Sequence, residues 1–459
     1  MNFTSRERTT TPLMLSAIKQ IKSRGKNIFY GWRVVAAGSF LYGQGIGTIM
    51  YGFSAFFNPL MDEFGWTRAA ISGIFSISRF EGGLEGLVIG PLIDRYGARK
   101  LAFIGITIAG LGFFFMLCVT QNILSIYLIF GILISMGYNA GFARPADVAA
   151  VKWFIKKRGR ALGIVTAGGG VGGAIMVPLM AWLIISFGWR TASVVTGCMF
   201  LGLGLPAAYF LRSTPEEMGL LPDGDTKSEV TETSAGARSG NLERQSPATD
   251  YSSGEINFTV RETLKTKTFW VYIAGLLFRM SVITTINIHL IPHLVDMGIE
   301  YQAASSVLGY TVLMSLFGRL GFGFLGDFFD KRIGIFISCM LQAIGIWIFI
   351  NASSIGMLYW YVVIYGVGYG GAFPLLHALR ADLFGRKTFA TIMGITGVIS
   401  MLPTVAAPVL IGYLYDVTQS YTTGFYTLMV MSLVAGFLFL LIRKPKLPVR
   451  MTHALGNNQ

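Results

Sequence analysis

Nine charged residues stand in stretches that otherwise carry almost no charge. They are the arginines Arg79, Arg144, Arg279, Arg319 and Arg380, and the acids Glu81, Glu85, Asp147 and Asp382. A charge surrounded by apolar chain is costly and needs a partner or a task. Arg319 lies eight residues before Asp327 in a Gly-rich run, about 12 Å along a helix axis. Its guanidinium is a fork that fits a carboxylate. The competing reading is an ion pair to an acid on another helix. Arg279 carries the same two readings, a second anion clamp or the permanent partner of a glutamate. Arg144 has Asp147 one turn away, and pairing between them is expected. Arg380, Asp382 and Asp147 lie near helix ends and read as loop or gate salt bridges, and Arg79 as packing. Glu81 and Glu85 are four apart, so they share a helix face. They are candidates to carry a proton, or fixed counter-charges to Arg144 or Arg279. His289 and His293 are also four apart, but two histidines make a poor metal site. His289 reads as a hydrogen-bonding or pH-sensing candidate, or as a histidine satisfied by its neighbours. Five arginines against four acids leave one positive charge that a bound anion would balance. No nucleophile–base set, metal site or cofactor motif stands out.

The elements that hold these residues follow from composition. Of 459 residues, 53% are hydrophobic and 13% charged, about half the usual charged share; mean hydropathy is +0.59. Such a chain cannot cover a water-facing surface with charge, so it reads as an integral membrane protein. A crossing needs roughly 20 apolar residues. Charge-free runs of that size are 34–61, 101–143 (a double, split at Gln121-Asn122), 161–189, 191–211, 333–379 (a double, split at 351–354), 388–415 and 417–442. Three more, 69–93, 269–295 and 301–326, are interrupted by charge. Together they predict twelve helices, six on each side of a polar break rich in Ser, Thr, Glu, Gly and Asp. The expected organisation is a tail (1–27), an N-terminal six-helix bundle (28–212), a largely disordered linker (213–265), a C-terminal six-helix bundle (266–444) and a second tail (445–459). The basic stretch before Lys26 does not read as a cleaved signal. Cys118, Cys198 and Cys339 sit in separate apolar runs and suggest neither a disulfide framework nor a metal site.

Orientation follows from Lys and Arg placement. Only Arg68 and Arg190 fall in loops on one side. Five of the 37 basic residues lie in spans, and the remainder fall in the tails, the linker and the loops on the linker's side. Both termini and the linker are therefore expected in the cytoplasm. The net charge of +14 is explained by this bias and by contact with anionic lipid headgroups, without nucleic acid. The two halves also repeat. At an offset of 233, Pro59, Gly65, Gly90, Asp94 and Arg99 fall on Pro292, Gly298, Gly323, Asp327 and Arg332; Phe142 falls on Phe373 at an offset of 231. Parallel six-helix repeats mark a transporter with a mid-membrane site at the repeat interface.

Over essentially its whole length the chain resembles the major facilitator superfamily. The run Gly90-Pro-Leu-Ile-Asp94-Arg95-Tyr-Gly97-Ala-Arg99-Lys100 is similar to that superfamily's loop between the second and third helices. The stretch from Gly323 through Asp327 to Arg332 echoes it. Asp94 can there face the positive end of another helix, and the resemblance implies a conformational latch formed by Gly90, Asp94, Arg95, Arg99 and Asp327. Tyr30-Gly-Trp32, Phe64-Gly-Trp66, Lys152-Trp153-Phe154, His289-Leu-Ile-Pro-His293 and Gly318-Arg319 resemble the branch of monocarboxylate transporters and oxalate/formate antiporters. That resemblance implies that Arg319 binds a substrate carboxylate. It also implies that helices 1, 4, 7 and 10 line the cavity, which favours Tyr42, Tyr138, Asn139 and Tyr369. The chain departs from the pattern at Ser315, where the animal transporters would carry an Asp, and it lacks the helix 1 and helix 11 lysines of the two groups. The departures argue against tight dicarboxylate binding.

The expectation is an all-α secondary transporter, monomeric, in the plasma (inner) membrane. It would move a small organic anion, a monocarboxylate, by alternating access with proton symport. Anion exchange is the alternative, followed by a drug or amphiphile exporter and by a non-transporting sensor. Expected partners are the anion, protons and lipid.

Overall fold

The structure, a computed structural model, describes residues 29–225 and 257–446. The expected tails 1–27 and most of 445–459, and the middle of the linker, lie outside the described residues. Helix α1 (30–64) runs through Tyr30–Gly45, a π turn Ile46–Tyr51, a 3-10 turn Gly52–Phe56 and Phe57–Phe64. Next come α2 (Arg68–Tyr96), α3 (Ala98–Cys118) and α4 (Ile123–Trp153). The segment Arg158–Phe210 is two helices, α5 (158–187) and α6 (189–210), parted at Gly188, whose φ of 80° and ψ of 159° suit glycine. The second half holds α7 (Lys267–Asp296), α8 (Tyr301–Leu325), α9 (Lys331–Ile350), α10 (Ile355–Phe384), α11 (Phe389–Thr418) and α12 (Thr422–Leu440).

Nine helices among the described residues are long and apolar enough to cross a membrane. One of them is the α5–α6 pair; α1 and α2 complete the twelve. Both double runs break where the polar residues stand. Asn122 accepts a hydrogen bond from the Leu124 N–H (3.0 Å) to open α4. Ser354 accepts one from the Met357 N–H (3.4 Å) to open α10. These short side chains satisfy N–H groups that a helix start leaves free. The outer surface is a belt of large apolar side chains such as Ile185, Leu402 and Val409. In water that belt would be an aggregation surface; in a bilayer it faces lipid.

The bundles meet along two crossings, α2 with α11 and α5 with α8, which the repeat relates to each other. Backbone meets backbone there. A Cβ at Gly394 would land on the Gly86 carbonyl oxygen, and one at Gly323 would sit 2.8 Å from the Gly159 oxygen. Within the first bundle, Gly168 and Gly172 of α5 seat against Ser39 and Gly43 of α1. The buried N-terminal core extends into the second half through Ala378, Ala381, Phe389 and Ala390. All four lie near the end where the linker joins, here termed the linker side; the opposite end is the far side. The flanks of the linker are built onto the linker side. Asp223 accepts from the backbone N–H groups of Ile155, Lys156 and Lys157 (2.9, 2.8 and 3.1 Å). Thr259 and Glu262 form a reciprocal cap on a short helix, Val260–Leu264, ahead of α7.

Candidate functional site

A cavity of about 280 Å³ lies between the bundles, on the far side of the Gly86–Gly394 contact. Its wall is formed by Ser78, Gly82, Tyr138, Asn139 and Arg144 of the first bundle and by Met280, Ser400 and Thr404 of the second. Tyr138, Asn139 and Arg144 are thus brought together. The expected pairing of Arg144 with Asp147 is not found. Arg144 donates to the Gly82 carbonyl (2.5 Å) on α2, and its other terminal nitrogen is buried without a hydrogen-bond partner. The two residues are a turn apart but lean apart. The long arginine reaches back to α2, while the short aspartate faces α10, where its Oδ2 is 3.5 Å from His377 Nδ1. Glu81 and Glu85 lie beside each other with Asn139 and Arg144 as neighbours, at the base of a groove toward the apolar belt lined by Phe80, Leu84, Val88 and Val405. Arg79's side chain lies outside the described residues.

Arg319 does not line the cavity. It faces Asp147 and Tyr42. It is buried, donates to the Thr166 carbonyl of α5 across the bundle interface (2.6 Å), and leaves its Nε unpartnered. Among the described residues no acid forms an ion pair with it. Arg279 is likewise buried without an acid. It donates to the Gln342 side-chain oxygen and to the Tyr369 carbonyl (2.9 Å), so its partner is an amide and not a glutamate. The two guanidiniums share one ring, Phe373, at 5.0 Å (Arg319) and 5.5 Å (Arg279) from its centroid. Tyr369 packs edge-on against that ring at 5.5 Å. His289 is placed elsewhere. Its ring nitrogens face the Pro408 carbonyl (3.0 Å) and the Tyr421 hydroxyl (3.4 Å), a satisfied position between α7, α11 and the start of α12.

The linker side is closed by charge. Asp94 accepts from the Thr391 N–H (2.8 Å) and hydroxyl (2.7 Å) at the start of α11, with Lys152 at 3.8 Å. Its repeat mate Asp327 does the same at α5. It accepts from the Gly159 N–H (2.7 Å) and the Arg160 side chain (2.6 Å). Burial pushes the Asp327 carboxyl up from its usual range, and the Arg160 and backbone hydrogen bonds pull against that without cancelling it. Both acids thus sit at the positive end of a helix of the other bundle. Asp382 adds Arg158 (2.6 Å) across the interface and Lys331 (2.7 Å). Gly90 presses on the Ala390 carbonyl. Arg95 and Arg99 are not gathered at Asp94. They lie over Tyr96 (5.3 Å) and Tyr209 (4.5 Å). Sequence reasoning missed His377, Gln342 and Phe373 as site residues. The signals available were a lone histidine one turn before Arg380 and the repeat match of Phe142 with Phe373.

Two repeat-related bundles with unpaired guanidiniums buried between them have the architecture of a secondary transporter. The Major Facilitator Superfamily profile matches residues 35–324 and 290–454, and the chain belongs to that superfamily: it is a multi-pass membrane transporter. Its curated relatives include human monocarboxylate transporter 2, 24% identical over 400 residues that cover 85% of this chain and 81% of the relative. Human monocarboxylate transporter 12 is 23% identical over 446 residues, covering 91% and 82%. Among solved structures, the E. coli fucose:proton symporter superposes with a TM-score of 0.65 at 12% identity, over 89% of this chain and 98% of the other.

Proposed function

We propose that this chain carries a small monocarboxylate across the plasma membrane by alternating access, coupled to protons, with both termini and the linker in the cytoplasm. One observation carries the reading. Arg319 is a buried guanidinium at the bundle interface that forms no ion pair among the described residues, held by one carbonyl and an aromatic ring, with the Asp147 carboxyl near but not paired to it. A buried cation without a paired counter-charge is expensive, and a substrate carboxylate would supply one. Arg144, Tyr138 and Asn139 meet the anion in the cavity; Arg319, oriented over Phe373 beside Arg279 and Tyr42, holds it. The backbone carbonyl of Tyr369 fixes Arg279. Asp94, Asp327 and Gly90 latch the linker side shut while the cavity receives solute, with Arg95 and Arg99 fixing the ends of the helices around them. The relatives named monocarboxylate transporters support the substrate class.

The test is a thermal-shift screen of purified protein against lactate, pyruvate, formate and oxalate, with Arg319→Gln alongside. A ligand that binds the folded state raises the melting temperature by mass action. A monocarboxylate should stabilise the parent chain and leave the variant unmoved. Equal shifts in both, or none in either, would remove Arg319 from the substrate site and favour an exporter.

A further inference from the structure

Asp147 and His377 meet across the bundle interface. Asp147 stands on α4 of the first bundle with a side chain 2% exposed; His377 stands on α10 of the second with a side chain 16% exposed. Asp147 Oδ2 and His377 Nδ1 approach to 3.5 Å without a hydrogen bond, so that ring nitrogen is buried and unpartnered. One Asp147 oxygen has no hydrogen-bond partner, and neither have Nε and one terminal nitrogen of Arg380. The charged and titratable groups around the pair come from α10 itself and from three further helices. They are Arg380 on α10, Arg319 on α8, Tyr42 on α1 and Tyr272 on α7, whose hydroxyl accepts from Arg380 (3.1 Å). The Phe389 ring of α11 closes the side next to His377, 6.5 Å between ring centroids.

We propose that the Asp147–His377 pair is the proton station that couples proton to anion. The inference rests on the carboxylate reading above. Without substrate, Asp147 feels the positive charge of Arg380 and Arg319, neither of which is ion-paired to it. When a carboxylate occupies Arg319, Asp147 loses one counter-charge, and an unprotonated pair becomes costly in the dry interface. A proton taken up by the pair restores the balance, so anion and proton favour each other's binding, and the coupling is reciprocal. The pair joins the two bundles, so opening the linker side must part it. Parting exposes both groups to water and releases the proton on that side. Glu81 and Glu85 cannot do this in the same way: both lie on one helix of one bundle with Arg144 as their own cation. His377 and Asp147 position the proton and do not touch the anion.

The experiment uses the full chain in proteoliposomes, with labelled lactate as probe. Two readouts are taken: uptake driven by an inside-alkaline gradient, and lactate counterflow at equal pH. For Asp147→Asn and His377→Gln, the gradient response should fall at least about tenfold, while counterflow falls less than about threefold, a difference of more than half a decade in rate. Glu81→Gln/Glu85→Gln should keep the gradient response, and Arg319→Gln should lose both. Melting temperatures confirm that each variant is folded. Either single variant keeping full gradient-driven accumulation would overturn the inference, as would loss of coupling in the double glutamate variant alone. Should His377→Gln fail to fold, Asp147→Asn decides by itself. Absence of counterflow in the parent chain would instead overturn the carboxylate reading, and this inference with it.

Discussion

At the residue scale, Phe373 is the platform on which two cations rest. An aromatic face attracts a guanidinium by about 0.5–2 kcal/mol, more when dry. Phe373→Leu keeps bulk and removes the quadrupole. Carboxylate affinity should therefore drop by roughly three- to thirtyfold, with the melting temperature nearly unchanged, as read by titrated thermal shift. Arg319→Lys keeps the charge but loses the fork. Its affinity should fall further than that of Phe373→Leu. A lysine variant with parental affinity would mean that only charge is sensed. The arginines were legible in the sequence because a charge in an apolar run announces itself. Their partners were not. Arg144 was expected on Asp147 because the two are a turn apart, yet side-chain length and direction send one to Gly82 and the other to His377.

At the element scale, the latch is a matter of helix ends. Asp94 caps α11 and Asp327 caps α5, each from the opposite bundle. A carboxylate in this position is worth about 0.3–2 kcal/mol. Asp94→Asn should raise the population open on the linker side by roughly two- to thirtyfold. The measurement is maleimide labelling of Ala390→Cys, a position 3% exposed at the interface, in a chain whose Cys118 and Cys198 are serine. An unchanged rate would show that the acid is not part of the closure. Gly394→Val tests the same closure from packing. Its added atoms meet the Gly86 carbonyl, and overpacking costs about 1–3 kcal/mol, so it should speed labelling too and lower the melting temperature. Helix ends were readable where a motif is local to the chain, as at Asn122, Ser354 and Asp94. The π turn in α1 was not, since 34–61 reads as one uninterrupted apolar run.

At the scale of the whole molecule, the repeat made the two-bundle plan legible, because Pro, Gly and Asp recur in register 233 residues apart. It could not make His377 legible, since the residue that gives it meaning is on the other bundle and only the closed interface joins them. In this state the bundles are shut at the linker side by three acids, and the cavity lies beyond them on the far side. Alternating access requires those contacts to part together, with the Asp147–His377 pair among them. If parting also releases a proton, the pH gradient must set how far substrate accumulates. For one proton per carboxylate the ceiling is about tenfold per pH unit. Proteoliposomes with an alkaline interior should therefore concentrate lactate toward that limit. A protonophore should collapse the accumulation while leaving counterflow intact. Uptake that ignores the gradient and needs a preloaded internal carboxylate would instead make this chain an exchanger, with Asp147 and His377 a fixed tie between its halves.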